Sequence, residues 1–375
     1  MSRQPKADVA IYAPLAAPLY VDGGGHTGGA EIQTFYLARA LADAGLRVKH
    51  IVEPLVGQRL REPDRGVEAV AVGRLPGARV LARRRGIAAS LAAANARLYI
   101  QRSAGYETAM VGTWARLHRR VFVFSSSSEG DFLVDRETAL QTGSGLDRRS
   151  ILLQYRLGIR LAHLVVAQTE RQRELARTKF GIDSRVLRSF AEVAPATGCV
   201  REAFLWVGGL VGIKDPLAYL ELARRVPEAR FWMVVTDRAA GLELGDSVRR
   251  EAATIPNLEL LPARPRTELL DLYRRAVALV NTSRLEGFPN TFLEAWARGT
   301  SVLSLGIDPD GVIEANDLGV AAGGAIEVLA AAARARWESR SDVDSEAAQE
   351  YIRRVHDPAV VGRAWVAVVR ELTDR

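Results

Sequence analysis

The sequence predicts an α/β fold made of two doubly wound, Rossmann-like domains in tandem. Short apolar runs rich in β-branched residues alternate with longer helical patterns, and this alternation starts again midway along the chain. The length of 375 residues also exceeds what one core of ordinary size accommodates. Hydrophobic residues make up 48% and charged residues 25%, which is typical of a globular protein and excludes a disordered one.

The first domain is predicted to span residues 1–195 as a parallel sheet covered by helices. Its strands are predicted at 8–14, 47–53, 67–73, 107–113, 120–125, 163–169 and 184–190. Helices are predicted between most of these strands, and two of them end at Gly45 and Gly181, as helices often do at glycine.

The second domain is predicted to span residues 196–357, and the weakly periodic segment 190–202 is predicted to link the two domains. Its strands are predicted at 203–209, 229–235, 257–262, 276–283 and 300–306. The last segment, residues 358–375, begins an amphipathic helix at Pro358, a residue that suits the first turn.

Net charge and cysteine content restrict the kinds of partner and the cellular compartment that the sequence predicts. The 51 basic and 44 acidic residues give a net charge of +7, which suits an anionic partner. No helix-turn-helix, zinc-ligand or aromatic–basic RNA motif accompanies this charge, so no nucleic acid is predicted. The single cysteine, Cys199, excludes an internal disulfide and fits a reducing cytoplasm.

An arginine-rich segment at 78–102 surrounds an apolar row of Ile87, Leu91 and Leu98. The row is consistent either with a helix on the surface of the domain or with peripheral contact with an anionic membrane, at the inner face of which the protein would lie.

The stretch RLEGFPNTFLEAWARG at 284–299 places Glu286 and Glu294 around a turn that follows a predicted strand and precedes a helix. Ligands of open α/β sheets bind beyond the carboxyl ends of strands, and the free amides at a helix start favour anions. Glu286 precedes the turn and is not placed to cap the helix that follows. Glu294 also completes a capping box with Thr291, which is the purely structural alternative.

The segment EGFPNTFLE resembles the paired-glutamate element of the retaining, nucleotide-sugar-dependent glycosyltransferases of the GT-B fold, family four, also called group 1. Residues 204–234, beginning FLWVGGLVGIKD, resemble the start of that family's donor domain. Residues 28–52, beginning GGAEIQTFY, resemble the glycine-rich loop and first helix of its acceptor domain. The resemblance covers nearly the whole chain, with the three motifs in the family's order.

This resemblance implies two domains that face each other across a central cleft, with residues 358–375 returning to the N-terminal domain. It implies transfer of a sugar from a nucleoside diphosphate sugar to a hydroxyl of a sugar, lipid-linked or small-molecule acceptor, with retention of configuration. Polysaccharide, glycolipid or glycoconjugate biosynthesis is the expected setting. The family generally needs no metal or other cofactor, and the Asp-Pro-Asp sequence at 308–310 is predicted to be a turn rather than a metal site.

The resemblance also assigns roles to individual residues. Glu286 would contact the donor sugar, Glu294 would accept the ribose hydroxyls, and Lys214 would bind phosphate. Backbone groups around the diphosphate would come from Gly208, Gly209, Gly287, Phe288, Asn290 and Thr291. Gly28 and Gly29 would approach the diphosphate from the acceptor domain.

Two positions depart from the family pattern. Gly209 stands where the family usually has a phosphate-binding arginine, and Arg264 or Arg284 would have to compensate. Where many members have a histidine, this chain has the loop SSSSEGDF, with Glu129 and Asp131 as its acids. Asp131 is predicted to orient the donor sugar or accept the acceptor's proton.

These departures keep two alternatives open. The first is a related GT-B enzyme, such as a sugar-nucleotide epimerase or a phosphorylase. The second is a protein that binds a nucleotide sugar without turning it over.

Overall fold

Two separate parallel sheets organise the chain, and each belongs to its own structural unit. The computed structural model describes residues 5–21, 27–54, 57–61, 65–72, 79–133, 145–195, 200–236, 242–340 and 346–374. The first unit comprises Met1–Phe190 and Pro358–Arg375, and the second comprises Ala191–Asp357.

The sheet of the first unit has seven parallel strands in the order β3-β2-β1-β4-β5-β6-β7 within the described residues. Its strands are β1 (Ala7–Tyr12), β2 (Val48–Val52), β3 (Val67–Ala71), β4 (Ala96–Arg102), β5 (Val121–Ser125), β6 (Leu164–Ala167) and β7 (Ser184–Val186). The strand order reverses between β1 and β4, which marks the ligand-binding edge of a doubly wound sheet at their carboxyl ends.

The sheet of the second unit has six parallel strands in the order β10-β9-β8-β11-β12-β13 within the described residues. Its strands are β8 (Ala203–Gly208), β9 (Phe231–Val235), β10 (Leu258–Leu261), β11 (Ala276–Asn281), β12 (Val302–Ser304) and β13 (Gly319–Ala321). Every residue of β9 and β11 is buried, as expected of central strands covered on both faces. Here the order reverses between β8 and β11.

Helices connect the strands of both sheets. They are α1 (Gly29–Asp43), α2 (Arg79–Ala94), α3 (Glu107–Leu117), α4 (Gly145–Arg160), α5 (Glu170–Leu175), α6 (Pro216–Arg225), α7 (Leu242–Ala252), α8 (Arg266–Arg275), α9 (Asn290–Trp296), α10 (Val312–Ala315), α11 (Ile326–Glu338), α12 (Glu346–Val355) and α13 (Pro358–Thr373). A π-helical turn at Ala176–Phe180 continues α5 and ends at Gly181, whose φ of 67° favours glycine.

The last helix, α13, is built into the core of the first unit. Val361, Trp365 and Val369 of α13 are buried in the same hydrophobic cluster as Leu37 and Leu41 of α1. Burial of large apolar side chains is the main favourable contribution to folding, so the C-terminal residues contribute to the stability of the N-terminal unit.

One strand prediction for the first sheet is wrong, and one strand of that sheet was not predicted. Residues 107–113 were predicted as a strand, but they lie in α3, which buries Val111 and Ala115 on one face. The strand in that place is β4, which the sequence pattern merged with the preceding arginine-rich segment. In the second sheet, the three-residue strand β13 was not predicted.

The apolar row that suggested a membrane contact is buried inside the first unit. Ile87 and Leu91 lie in α2, and Leu98 lies in β4, so the row is not one helical face. All three side chains are at most 1% exposed, which leaves them unavailable to lipid. Among the described residues, no helix is both long and apolar enough to cross a membrane.

Two smaller expectations concern single positions. Cys199 lies outside the described residues. The Asp-Pro-Asp sequence forms a turn, with a short 3₁₀ segment at Pro309–Gly311, and the side chain of Asp308 accepts the N–H of Ile313 at 2.9 Å.

Candidate active site

The candidate site of the second unit lies where its strand order reverses. β8 ends at Gly208 and β11 ends at Asn281, and these two strands are neighbours. The loop after each strand therefore begins at the same edge of the sheet, which is where open α/β sheets bind ligands.

Hydrogen bonds join the two loops. The N–H of Arg284 donates to the carbonyl of Ile213 at 2.9 Å. The hydroxyl of Thr282 donates to the carbonyl of Lys214 at 2.8 Å and accepts the indole N–H of Trp206 at 3.0 Å. These bonds fix the backbone of Lys214 against the loop that carries Glu286.

Lys214 and Glu286, which were predicted to act in one site, are in contact. The ammonium of Lys214 donates to Oε1 of Glu286. The side chain of Glu286 is 15% exposed and that of Lys214 is 32% exposed. A cation and a carboxylate therefore stand together at the strand ends, partly shielded from water, where their charges act more strongly than at an open surface.

Glu294 does not form the capping box that was the structural alternative to a role in binding. Helix α9 begins at Asn290 with Pro289 as its N-cap, so Thr291 lies inside the first turn. Instead, Oε1 of Glu294 accepts a hydrogen bond from Nη1 of Arg266, the first residue of α8, at 2.7 Å. Burial, followed by the nearby Glu294 carboxylate, raises the pKa of Tyr273 well above its ordinary value.

The turn between the two glutamates is largely buried. Gly287 and Phe288 are buried, and the ring of Phe288 packs edge-on against Trp296 with 6.1 Å between centroids. Asn290 and Thr291 are half-buried in the first turn of α9. The structure thus places these residues between Glu286 and Glu294, and phosphate binding by their amides stays a prediction.

The loop after β8 has room for a side chain at the position that departs from the family pattern. A Cβ at Gly209 would come no closer than 3.8 Å to another heavy atom, that of the Thr236 hydroxyl. A Cβ at Gly208 would come within 2.9 Å of the Trp206 ring. Packing therefore requires glycine at 208 and does not require it at 209.

Of the two arginines predicted to compensate for Gly209, one lies beside Lys214. Arg284 pairs with Asp215, the residue after Lys214, with Nη2 and Oδ2 2.7 Å apart. Arg264 pairs instead with Glu268 at 3.6 Å. Of the two arginines, only Arg284 is therefore joined by an ion pair to the loop that carries Lys214, within the residues that the structure describes.

In the first unit, the glycines predicted to approach phosphate lie at the start of α1. Gly28 is the N-cap of α1 and Gly29 is its first residue, and no side chain of the N-cap satisfies the helix amides. The residues just before them, 22–26, lie outside the described residues. Contact of Gly28 and Gly29 with a diphosphate stays a prediction.

Asp131 is buried and holds its own loop. Its Oδ2 accepts the N–H of Ser127 at 2.6 Å, that of Ser128 at 3.3 Å, and the hydroxyls of Ser126 and Ser127. Its Oδ1 accepts the N–H of Ala104 at 3.0 Å. This set of donors is that of a carboxylate that supports its own loop, and a catalytic role for Asp131 stays a prediction.

Sequence reasoning missed the ion-pair partners of the site. Arg266 pairs with Glu294 across 28 residues, and Asp215 pairs with Arg284 across 69. The only signal in the sequence was the position of Asp215 directly after Lys214. Arg266 opens a helix on a neighbouring strand connection and shows no local pattern.

Comparison with known proteins identifies the family. A family described as "Glycosyl transferase 4-like domain" matches residues 28–191, and one described as "Glycosyl transferases group 1" matches residues 201–338. The chain belongs to the group 1 glycosyltransferases. No curated protein sequence matches this glycosyltransferase.

Solved structures share the fold of this glycosyltransferase at low sequence identity. A sucrose-phosphate synthase from Thermosynechococcus elongatus has a TM-score of 0.78 and 15% identity, over 98% of this chain and 100% of that one. The Anabaena protein HepE, in complex with UDP-glucose, has a TM-score of 0.74 and 12% identity, with coverages of 98% and 100%. A glycosyltransferase from Rickettsia africae has a TM-score of 0.68 and 13% identity, covering 98% of each chain. The predicted GT-B fold is confirmed.

Proposed function

We propose that this glycosyltransferase moves a sugar from a nucleoside diphosphate sugar to an acceptor hydroxyl with retention of configuration. The contact between Lys214 and Glu286 at the ends of β8 and β11 carries the proposal. A cation suits a diphosphate, and a carboxylate suits the hydroxyls and the developing positive charge of a sugar ring. The complex of HepE with UDP-glucose supports a nucleoside diphosphate donor.

Glu294 is the proposed ligand of the donor's ribose. Its carboxylate is 15% exposed and is oriented by Arg266. A carboxylate fixed in this way can accept two neighbouring hydroxyls at once. The turn from Gly287 to Thr291, together with Gly208 and Gly209, supplies the backbone groups that we assign to the diphosphate.

The proposed reaction releases the nucleoside diphosphate as negative charge develops on it. The bond from the sugar's anomeric carbon to the diphosphate breaks, and the acceptor oxygen bonds to that carbon on the same face. The acceptor's proton passes to the leaving phosphate. Lys214 stabilises the leaving charge more in the transition state than in the ground state, which lowers the barrier. We propose that Lys214 and Arg284 supply the positive charge that stabilises the leaving diphosphate, and that no metal ion is needed.

The Glu286→Gln variant tests the proposal. We expect it to fold, to bind UDP as the wild type does, and to release UDP from UDP-glucose at least roughly 100-fold more slowly, because the carboxylate charge is lost. Calorimetry measures UDP binding, and phosphate-coupled detection measures UDP release. Glu259→Gln, an exposed glutamate on β10, is the control and should retain both.

Two results would reject the proposed function. One is full turnover by Glu286→Gln. The other is the failure of the wild type to bind any member of a panel of nucleoside diphosphates and their sugars.

Gly209 favours a second candidate, a nucleotide-sugar-binding protein without turnover. It leaves the loop after β8 with one cation, Lys214, where the family pattern has two. Such a protein would bind UDP-glucose and neither hydrolyse nor transfer its sugar. An epimerase, in contrast, would convert the donor without any acceptor. Analysis of donor and products in the same assay separates these outcomes.

A further inference from the structure

An arginine that has no ionic partner among the described residues lies at the ligand-binding edge of the first unit. Arg102 is the last residue of β4, which neighbours β1 where the strand order reverses. It pairs in register with Ser125, the last residue of β5. Ser103, the next residue, has a φ of 73°, a conformation that few non-glycine residues adopt and that is concentrated at functional sites.

Within the part of the chain that the structure describes, the hydrogen-bond partners of Arg102 are neutral. Nη1 donates to the hydroxyl of Ser125 at 3.2 Å. Nη2 donates to the side-chain oxygen of Gln168 at 2.6 Å, with the Gln168 amide in the orientation that satisfies both of its ends. Nε is buried and has no hydrogen-bond partner among the described residues.

No described carboxylate forms a salt bridge with Arg102. Asp131 and Glu31 are near enough for their charges to favour its protonated form, and the oxygens of Asp131 are occupied by its own loop. Burial lowers the pKa of Arg102 to about 10, so the guanidinium is still charged at neutral pH. A buried charge without a counter-charge in contact is destabilising, so a negatively charged group beside Arg102 would be stabilised by it.

A pocket beside Arg102 brings a second guanidinium to the same place. The pocket is lined by Arg102 and Arg188, together with Thr34 of α1 and Trp365, which belongs to α13. Nη1 of Arg188 donates to the carbonyl of Gln168 at 2.9 Å. The pocket therefore combines positive charge with an apolar wall, which suits an anionic group attached to an organic molecule.

We propose that this pocket binds an anionic group of the acceptor, a carboxylate or a phosphate, with Arg102 as its main cation. The proposal rests on the proposed function, because it assigns the acceptor to the first unit. A guanidinium binds either group through parallel N–H donors. It implies that the acceptor carries a negatively charged group.

Arginine side-chain NMR of the full-length protein tests this pocket directly. The Nε–Hε signal of Arg102 is identified as the one that is missing from the spectrum of the Arg102→Lys variant. Titration with inorganic phosphate, and separately with acetate, should shift this signal saturably, and the stronger of the two responses identifies the acceptor's group. An Arg102 signal that does not respond to either anion would overturn the proposal.

A stability assay adds matched variants. Phosphate should raise the melting temperature of the wild type and of Arg97→Gln, an exposed position on the same strand, by more than that of Arg102→Gln. Arg102→Lys keeps the charge and should retain part of the effect if Arg102→Gln fails to fold. Equal stabilisation of Arg102→Gln and the wild type contradicts the proposal.

The two proposals fail in different ways. UDP should bind Arg102→Gln as tightly as the wild type, because Arg102 is not among the residues assigned to the donor. If UDP binds neither protein while phosphate still shifts Arg102, the donor assignment is wrong and the anion pocket stands. If UDP binds both and phosphate leaves Arg102 unchanged, the anion pocket is wrong and the donor assignment stands.

Discussion

At the residue scale, the charged groups of the candidate site are held in pairs that a ligand must exchange. Glu286 pairs with Lys214 and Glu294 with Arg266, and both glutamates are 15% exposed. Arg284 also has a partner, Asp215, but its own side chain is 72% exposed. Exposed ion pairs contribute little free energy, so Arg284 can leave Asp215 for a phosphate at small cost.

Arg284→Ala should therefore weaken UDP binding roughly tenfold, the effect of losing one charge-assisted hydrogen bond. Arg264→Ala, the other predicted cation, should leave binding unchanged because Arg264 pairs within its own segment. Calorimetry with UDP measures both variants. Equal affinities for the two variants would remove Arg284 from the donor site.

Gly209→Arg restores the family cation in a position with open space around the Cβ. We expect UDP to bind this variant roughly tenfold more tightly than the wild type, again by one charge-assisted contact. The same titration measures it, with Gly209→Gln as the neutral control. An unchanged dissociation constant would place the phosphate away from this loop.

The Asp131→Asn variant distinguishes a structural role of Asp131, in the loop after β5, from a catalytic one. Its amide would face N–H groups that now donate to a carboxylate, so we expect a loss of about 2 kcal/mol in the free energy of unfolding. Urea unfolding measures the loss, and Glu129→Gln is the neighbouring control. Unchanged stability combined with lost UDP release would instead support the catalytic prediction for Asp131.

At the element scale, the sequence predicted most strands because parallel strands buried on both faces appear as continuous apolar runs. It failed where a helix and a strand share one composition. Residues 107–113 combine β-branched and small residues, yet α3 buries Thr108, Val111 and Ala115 on one side. Only packing against neighbouring elements decides between the two structures, and a single sequence does not contain that information.

Predictability of the site follows the same division. Glu286, Glu294 and Lys214 belong to local motifs, so the sequence alone was enough to propose them as site residues. Their partners, such as Arg266, come from other strand connections and depend on tertiary structure. The supporting bonds of Asp131 were missed for the same reason, since Ala104 donates to it across 27 residues.

The contact between α3 and α4 depends on one glycine. A Cβ at Gly158 would lie 2.4 Å from the backbone nitrogen of Ala109. Gly158→Ala should lower the free energy of unfolding by roughly 1–3 kcal/mol through overpacking. A Cβ at Gly245 in α7 would meet the flexible end of Arg249 at 3.2 Å and Leu210 at an ordinary contact distance of 3.7 Å, so Gly245→Ala should stabilise by up to about 1 kcal/mol. Urea unfolding of both variants checks the contrast, which equal effects would contradict.

At the scale of the whole molecule, the first unit is discontinuous in sequence. Its core includes Val361, Trp365 and Val369 of α13, from the far end of the chain. Truncation after Asp357 should therefore remove on the order of 5 kcal/mol of apolar burial from the first unit. That amount is comparable to the stability of a typical domain.

Hydrogen exchange measured by mass spectrometry can test the truncation. Protection should fall in β1 and β4 and persist in β8 and β11, because the second unit keeps all its residues. A chain that ends at Thr373 is the control and should retain full protection. Undiminished protection of β1 after truncation would show that α13 is dispensable.

The discontinuity has a consequence for biosynthesis. The segment up to Phe190 leaves the ribosome without the helix that covers α1, because Pro358–Arg375 is translated only after the whole second unit. At ordinary elongation rates, the intervening Ala191–Asp357 takes roughly 8–33 s to make. During that time the apolar side chains of α1 that α13 later covers, such as Leu37 and Leu41, lack these partners. We therefore expect the nascent first unit to bind a chaperone until α13 has been made.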